Sequence, residues 1–369
     1  MWPHKVLENN SARALLNVED YHQRAKEKLD KMTYDFYSNG SDDQLTLIDN
    51  QESFHRIKLR PKILNDVSSH KTENSLNCQT QLLHSTTTIS FPCIIAPTAL
   101  HRLAHREHGE LATVRAAVAC STIITSQLWF QLYVLKNRPY TRRLIERAQN
   151  SGYKALVLTV DLCVVGNREC DDRNQFSLPN GIQAENMIDD NDDETSDFGK
   201  NYRAPSEDDA LSWKDLDWIR SITSLPLILK GIIHPDDARK ALRYSVQGII
   251  VSNHGGRQLD TCISAIDALP HIIDAIHTEN PQIDVYVDGG IRRGTDILKA
   301  LALGAKAVLI GRPVLWGLAV DGEQGVRKVL DILKKEFRLA MMLCGCQTID
   351  HIKKNNLLII NYNHYQSNL

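Results

Sequence analysis

Eight short apolar runs recur along this chain from about Ser90 onward, and most are separated by stretches with helical spacing. This alternation constrains the fold more than any single residue. The runs are Cys93 to Ala96, Thr122 to Thr125, Phe130 to Val134, Ala155 to Thr159, Leu227 to Lys230, Gly248 to Ser252, Asp284 to Val287 and Ala307 to Ile310. Most are uninterrupted and rich in β-branched residues, as in strands covered on both faces. Helical patterns occupy Tyr140 to Asn150, Trp213 to Thr223, Asp236 to Tyr244, Ile263 to His277 and Arg293 to Leu303. Eight strands with intervening helices predict an α/β fold, a (β/α)8 barrel, whose reactive side chains come from the C-terminal ends of strands. A chain of 369 residues with 42% apolar content is long enough for such a barrel with additions.

The additions are also legible. Residues 12 to 38 carry helical spacing up to the stop at Asn39-Gly40, so residues 1 to 60 read as an N-terminal helical segment. The barrel is expected over 61 to 352, with an inserted loop at 161 to 210 and a tail at 353 to 369. The inserted loop holds an acidic run, Asp189, Asp190, Asp192, Asp193 and Glu194, expected to be solvated and disordered. A net charge of -2 removes the electrostatic case for nucleic acid or a membrane surface as main partner, which leaves a small molecule. Met1 to Asn10 has no apolar core like that of a signal peptide, so a soluble intracellular protein is expected. Eight scattered cysteines form neither a zinc pattern nor a disulfide framework.

The chemistry-bearing residues fall where the runs end. After Gly248-Ile-Ile-Val come Ser252, His254 and Arg257 in a glycine-hinged loop. An imidazole can take a proton near neutral pH and a guanidinium can clamp a carboxylate, although His-x-x-Arg alone reads as a turn with a capping His and a solvated Arg. Asp288-Gly-Gly290-Ile-Arg292-Arg-Gly follows the seventh run and Gly311-Arg312-Pro follows the eighth. Loops at these two places commonly hold a phosphate on glycine amides, so a phosphorylated cofactor or substrate is expected. No Gly-x-Gly-x-x-Gly fingerprint links a strand to a helix, which argues against a nicotinamide-binding domain. Lys230 ends the fifth run, Asp161 and Arg168 follow the fourth, and Gln131 and Tyr133 alternate along the third.

Taken together, Ser252-Asn-His-Gly-Gly-Arg-Gln258, Asp288 to Asp296, Ala300 to Ala305, Ile310 to Pro313 and Phe130 to Val134 resemble the FMN-dependent L-2-hydroxy acid oxidases, the glycolate oxidase family, and most closely its animal members. The resemblance runs from about Tyr21 to Ile352. It implies a barrel that holds FMN at its mouth and oxidises a 2-hydroxy acid to the 2-oxo acid, with oxygen reduced to hydrogen peroxide. His254 would be the base and Asp161 would orient it. Arg168 and Arg257 would bind the substrate carboxylate and Tyr133 the reacting oxygen. Thr98, Gln131, Thr159, Lys230 and Ser252 would meet the flavin ring, with Lys230 balancing negative charge on it. Asp288, Gly290, Arg292, Gly311 and Arg312 would hold the ribityl and phosphate groups. The resemblance also implies a homotetramer or larger and no metal.

This sequence departs from the family in three informative places. Tyr34-Asp35-Phe36-Tyr37 has Phe36 where a tyrosine helps hold the carboxylate, as in the branch taking longer, more apolar acids. The chain ends Ser367-Asn368-Leu369, similar to a peroxisomal Ser-Lys-Leu, so peroxisome is expected, with cytoplasm as the alternative. Between Thr125 and Phe130 only four residues stand where parallel neighbours need a crossover of about a dozen. The second barrel helix is therefore expected to be missing, and a catalytically impaired flavin-binding relative or splice form is the alternative function. A flavin-free barrel enzyme for a phosphorylated metabolite would explain the phosphate loops but leaves Asp161, His254 and Arg257 without a common task.

Overall fold

The computed structural model describes residues 14–67, 76–83, 87–123, 129–184, 207–354 and 357–360. The described residues begin with three helices, α1 (Val18–Lys28), α2 (Lys31–Ser38) and α3 (Leu45–Arg56). The side chains of Asn17 and Asp30 cap α1 and α2 by accepting from the backbone N–H three residues on. Strand β1 (Ile57–Leu59) follows, then a small antiparallel pair, β2 (Thr80–Leu82) and β3 (Thr87–Ile89). From there the chain alternates as expected: β4 (Cys93–Ile95), α4 (His101–Ala104), α5 (Gly109–Ala119), β5 (Trp129–Leu132), α6 (Arg138–Asn150), β6 (Ala155–Thr159), α7 (Glu169–Arg173), α8 (Asp215–Ile222) and β7 (Leu227–Ile232). It continues with α9 (Pro235–Leu242), β8 (Gly248–Val251), α10 (Ala265–His277), β9 (Asp284–Asp288), α11 (Gly294–Ala302), β10 (Ala307–Ile310) and α12 (Arg312–Leu343), which bends where Asp321 and Gly322 leave helical geometry. Short α13 (Ile349–Lys354) leads to β11 (Leu358–Ile360), which pairs antiparallel with β1.

Seven parallel strands form one sheet in the order β4-β10-β9-β8-β7-β6-β5. The first strand pairs with the last, as in a closed barrel. Its interior is filled by alternate side chains, Ile94, Trp129, Ala155, Val157, Ile228, Ile250, Tyr286, Ala307 and Leu309, with Leu82, Leu83 and Ile89 of the β2–β3 hairpin. Each of the larger aliphatic side chains contributes about 1.5–3 kcal/mol on burial. The opposite strand faces pack on the helices, which is why the runs read as continuously apolar.

The second expected strand, Thr122 to Thr125, is not among the described strands, and residues 124–128 lie outside the described residues. Its start runs beside β4 all the same. Ile95 N donates to the Ile123 carbonyl at 2.8 Å, and the Thr122 hydroxyl donates to the Cys93 carbonyl. No described strand pairs β4 to β5, so these two are the edges of the sheet. The expected acidic run at 189–194 and the terminal tripeptide also lie outside the described residues.

Candidate active site

The C-terminal ends of the strands deliver polar side chains to one cavity of about 1060 Å³. Lys230 from β7 is 3% exposed, with Nζ donating to Ser252 Oγ at 3.1 Å and lying 3.6 Å from Asp288 Oδ2 at the end of β9. A buried ammonium needs such partners to offset its lost hydration. Gln131 on β5 donates to the Thr159 hydroxyl at the end of β6, at 3.0 Å. Thr98 follows β4, and its methyl lies beside Gly311 after β10.

His254 stands just beyond β8 with φ of 57°, a left-handed conformation that costs a non-glycine residue about 1–3 kcal/mol. The loop is held there from two sides. Its backbone N–H donates to Ser252 Oγ at 3.0 Å, and the loop packs so closely on α3 that a Cβ at Gly256 would lie 2.7 Å from Leu47 N. Nδ1 meets Asp161 Oδ1 at 2.9 Å, and Nε2 lies 3.5 Å from the Tyr133 hydroxyl, with the two rings nearly parallel. Burial pushes the His254 pKa down, Asp161 pulls it up, and Lys230 and Arg168 push it down, leaving it below the ordinary histidine value. The imidazole is therefore neutral near pH 7 and able to accept a proton. Burial pushes the Asp161 carboxyl up, but His254 and Lys230 outweigh it and hold the group below its usual range. Among the described residues Asp161 Oδ2 is buried without a hydrogen-bond partner.

Four guanidiniums ring the other side. Arg312 donates to the carbonyls of Tyr37, Gly255 and Asn39, and to no carboxylate among the described residues. Burial, then the charges of Arg257, Arg292 and Arg168, push its pKa well down, with Asp288 opposing them. Such a concentration of positive charge is relieved by an anion. Arg292 donates to the Ile291 carbonyl at 3.2 Å, Arg168 Nε reaches the Arg257 carbonyl at 3.5 Å, and Arg257 holds the carbonyls of Phe36 and Asn39. Gly290, at φ of 79°, sits where a Cβ would be 1.8 Å from the Asn50 carbonyl oxygen. Only glycine fits that turn beside α3.

Apart from Phe36 on α2, the site residues singled out in the sequence lie on the strands, at their ends or in the loops that follow them, and most line the cavity itself. They fit a flavin mononucleotide: an anion-seeking arginine cluster beside a glycine turn, a buried lysine, and the orphaned buried oxygens Asp161 Oδ2 and Asp288 Oδ1. Among the described residues no group of three or more His, Cys, Asp or Glu side chains is placed to hold a metal.

Sequence reasoning missed the polar residues that brace this site. Asn50 on α3 and Asn253 exchange two amide hydrogen bonds, both 2.9 Å, and Asp260 accepts from the backbone N–H groups of Leu45 and Thr46 at the start of α3. The Tyr37 hydroxyl donates to the Leu100 carbonyl at 2.6 Å. Nothing in the local pattern marks these residues, because each partner is distant in sequence. The cavity also reaches Leu111, Val114, Phe130, Leu144 and Tyr153, on the side where β4 and β5 are the sheet edges.

Residues 25–359 match the FMN-dependent dehydrogenase family. The chain is 45% identical over 364 residues to "Glycolate oxidase 3" of Arabidopsis thaliana, covering 93% of this chain and 96% of the relative. It is 44% identical over 361 residues to "Peroxisomal (S)-2-hydroxyacid oxidase GLO4" of the same organism, covering 93% and 96%. Both aligned stretches are longer than the part of this chain they cover, so segments of the relatives have no counterpart here. The structure superposes on the crystal structure of mandelate oxidase with a TM-score of 0.83 at 34% identity, covering 94% of this chain and 99% of that one. The cavity, the strand-end residues around it and these likenesses together make the chain a member of the FMN-dependent dehydrogenase family, a flavoprotein oxidoreductase on an α/β barrel.

Proposed function

We propose that the protein oxidises an L-2-hydroxy acid to the 2-oxo acid, with oxygen as acceptor and hydrogen peroxide as second product. The observation that carries this reading is His254, with Nδ1 engaged by Asp161 and Nε2 turned toward the Tyr133 hydroxyl in the cavity. FMN, when bound, would supply the two-electron chemistry, with oxygen as the final acceptor. The protein's part is acid–base and electrostatic. Nε2 takes the proton that leaves the substrate, and the Asp161 carboxylate stabilises the resulting imidazolium. Tyr133 positions the hydroxyl oxygen, Arg168 and Arg257 bind the carboxylate, and Lys230, from β7, would balance negative charge on the flavin.

Phe36 supports a preference for medium or long acids. Its ring stacks on Phe176 with centroids 4.4 Å apart at 7°, beneath the Arg257 guanidinium at 5.2 Å, and it lines the cavity. A phenylalanine offers no hydrogen bond to a carboxylate, whereas each methylene packed on this wall adds about 0.8 kcal/mol. The similarity to a relative named as peroxisomal supports a peroxisomal location. The family resemblance supports a homotetramer or larger. Oxygen uptake and peroxide release with glycolate, 2-hydroxyoctanoate and longer acids test the proposal. A yellow protein that oxidises none of them, or a His254→Ala variant with unchanged turnover, overturns it, and a higher kcat/KM for glycolate removes the chain-length preference.

A further inference from the structure

One buried polar cluster borders the cavity without belonging to the chemistry described above. His101, the first residue of α4, is 2% exposed. Its Nε2 lies 2.6 Å from the Thr98 hydroxyl, and its Nδ1 lies 2.9 Å from the hydroxyl of Thr113, which is fully buried on α5. Its backbone N–H donates to Glu110 Oε1 at 2.9 Å, so Glu110 from α5 caps the same turn, where Leu100 has a φ of 60°. A neutral imidazole offers one donor and one acceptor, and a hydroxyl can serve either, so both bonds are satisfied at once. Burial pushes the His101 pKa down against the opposing Glu110, consistent with the neutral ring. Thr98, His101 and Glu110 all border the cavity, and Thr98 has its methyl beside Gly311.

We infer that His101 is a positioning residue for the cofactor cavity. By holding the Thr98 hydroxyl on one ring nitrogen and the Thr113 hydroxyl on the other, it ties the loop after β4 to α5 and fixes the wall that faces Gly311. The tie sits at an edge of the sheet, where β4 has no described partner strand on its other side. Which ring nitrogen carries the proton also decides whether Thr98 turns a donor or only lone pairs toward a ligand. The inference rests on the reading that FMN fills this cavity.

Two substitutions separate the ends of the tie. His101→Gln places an amide near the position of Nε2 and keeps the Thr98 contact. His101→Asn places one near Nδ1 and keeps only Thr113. The holoprotein is diluted stepwise and released FMN is followed by its fluorescence, with the visible spectrum of the bound flavin and the thermal midpoint recorded for each variant. The expected result is an FMN Kd within about twofold of wild type for His101→Gln and raised about tenfold for His101→Asn, the size of one net hydrogen bond. Thr98→Val should raise Kd by a similar factor, and the double variant Thr98→Val/His101→Asn should add nothing further. Equal Kd changes for Gln and Asn that follow the thermal midpoint, an unchanged Kd for His101→Asn, or additive effects in the double variant would overturn the positioning role. A wild-type protein that releases no FMN at any dilution because it never held any overturns the FMN reading itself, and the inference with it.

Discussion

Asp161→Asn tests the acid–base assignment most directly. The substitution keeps an oxygen able to accept from Nδ1 of His254 but removes the negative charge 2.9 Å away. Both side chains are largely shielded, 13% exposed for Asp161 and 18% for His254, so solvent screens the interaction little. A hydrogen bond to a charged partner is worth about 1.5–3 kcal/mol, and losing it as the imidazolium forms lowers kcat/KM about 10- to 150-fold. The pH dependence carries a sign. Asp161 raises the pKa of His254 while burial, Lys230 and Arg168 lower it, so removing the carboxylate lets the pKa fall further. Activity requires neutral His254, and the acid limb of kcat/KM therefore moves to lower pH in the variant. Oxygen uptake across pH measures both effects, with flavin absorbance confirming that FMN remains bound. A kcat/KM within twofold of wild type, or an acid limb that moves upward, refutes the reasoning.

Gly290→Ala should destabilise the protein in urea titrations by about 1–3 kcal/mol from the left-handed backbone alone, with further loss from the clash at the Asn50 carbonyl. Lys230→Met removes the ammonium beside Asp288, and spectroelectrochemistry should show the bound flavin's midpoint potential lowered by about 30–60 mV, the equivalent of about 1.4–3 kcal/mol. Phe36→Tyr should raise kcat/KM for glycolate by about tenfold through one new bond to the carboxylate, and an unchanged ratio of short- to long-chain activity would remove Phe36 from specificity. Inserting a family-length strand and helix between Thr125 and Trp129 should raise the thermal midpoint and flavin occupancy together. Leu111 and Val118 on α5 are 58% and 64% exposed, and covering them stabilises by about 1–3 kcal/mol. An unchanged midpoint would show that the short connection is harmless.

The sequence by itself determined the strands and what their ends carry. Ala155–Thr159 and Ala307–Ile310 were readable to the residue, and five more of the apolar runs match strands to within two residues, because a strand buried on both faces must be apolar throughout. His254, Lys230, Asp288 and Arg312 were legible because each stands where such a run stops, and chemistry on this fold collects there. The tertiary structure decided everything that depends on distant partners. It brought α3, part of the N-terminal helical segment, over the site through hydrogen bonds from Asn50 and the start of the helix to Asn253 and Asp260, more than 200 residues away. It turned Arg257 partly toward the carbonyls of Phe36 and Asn39, and it placed His101 between Thr98 and Thr113. Among the described strands it left β4 and β5 at the two ends of the sheet, with the cavity reaching toward α5 and α6. Local patterns record which backbone conformation a segment prefers and which face it buries. The pairing of single polar groups is settled only when folding brings them within hydrogen-bonding distance, and no periodicity in the chain encodes it.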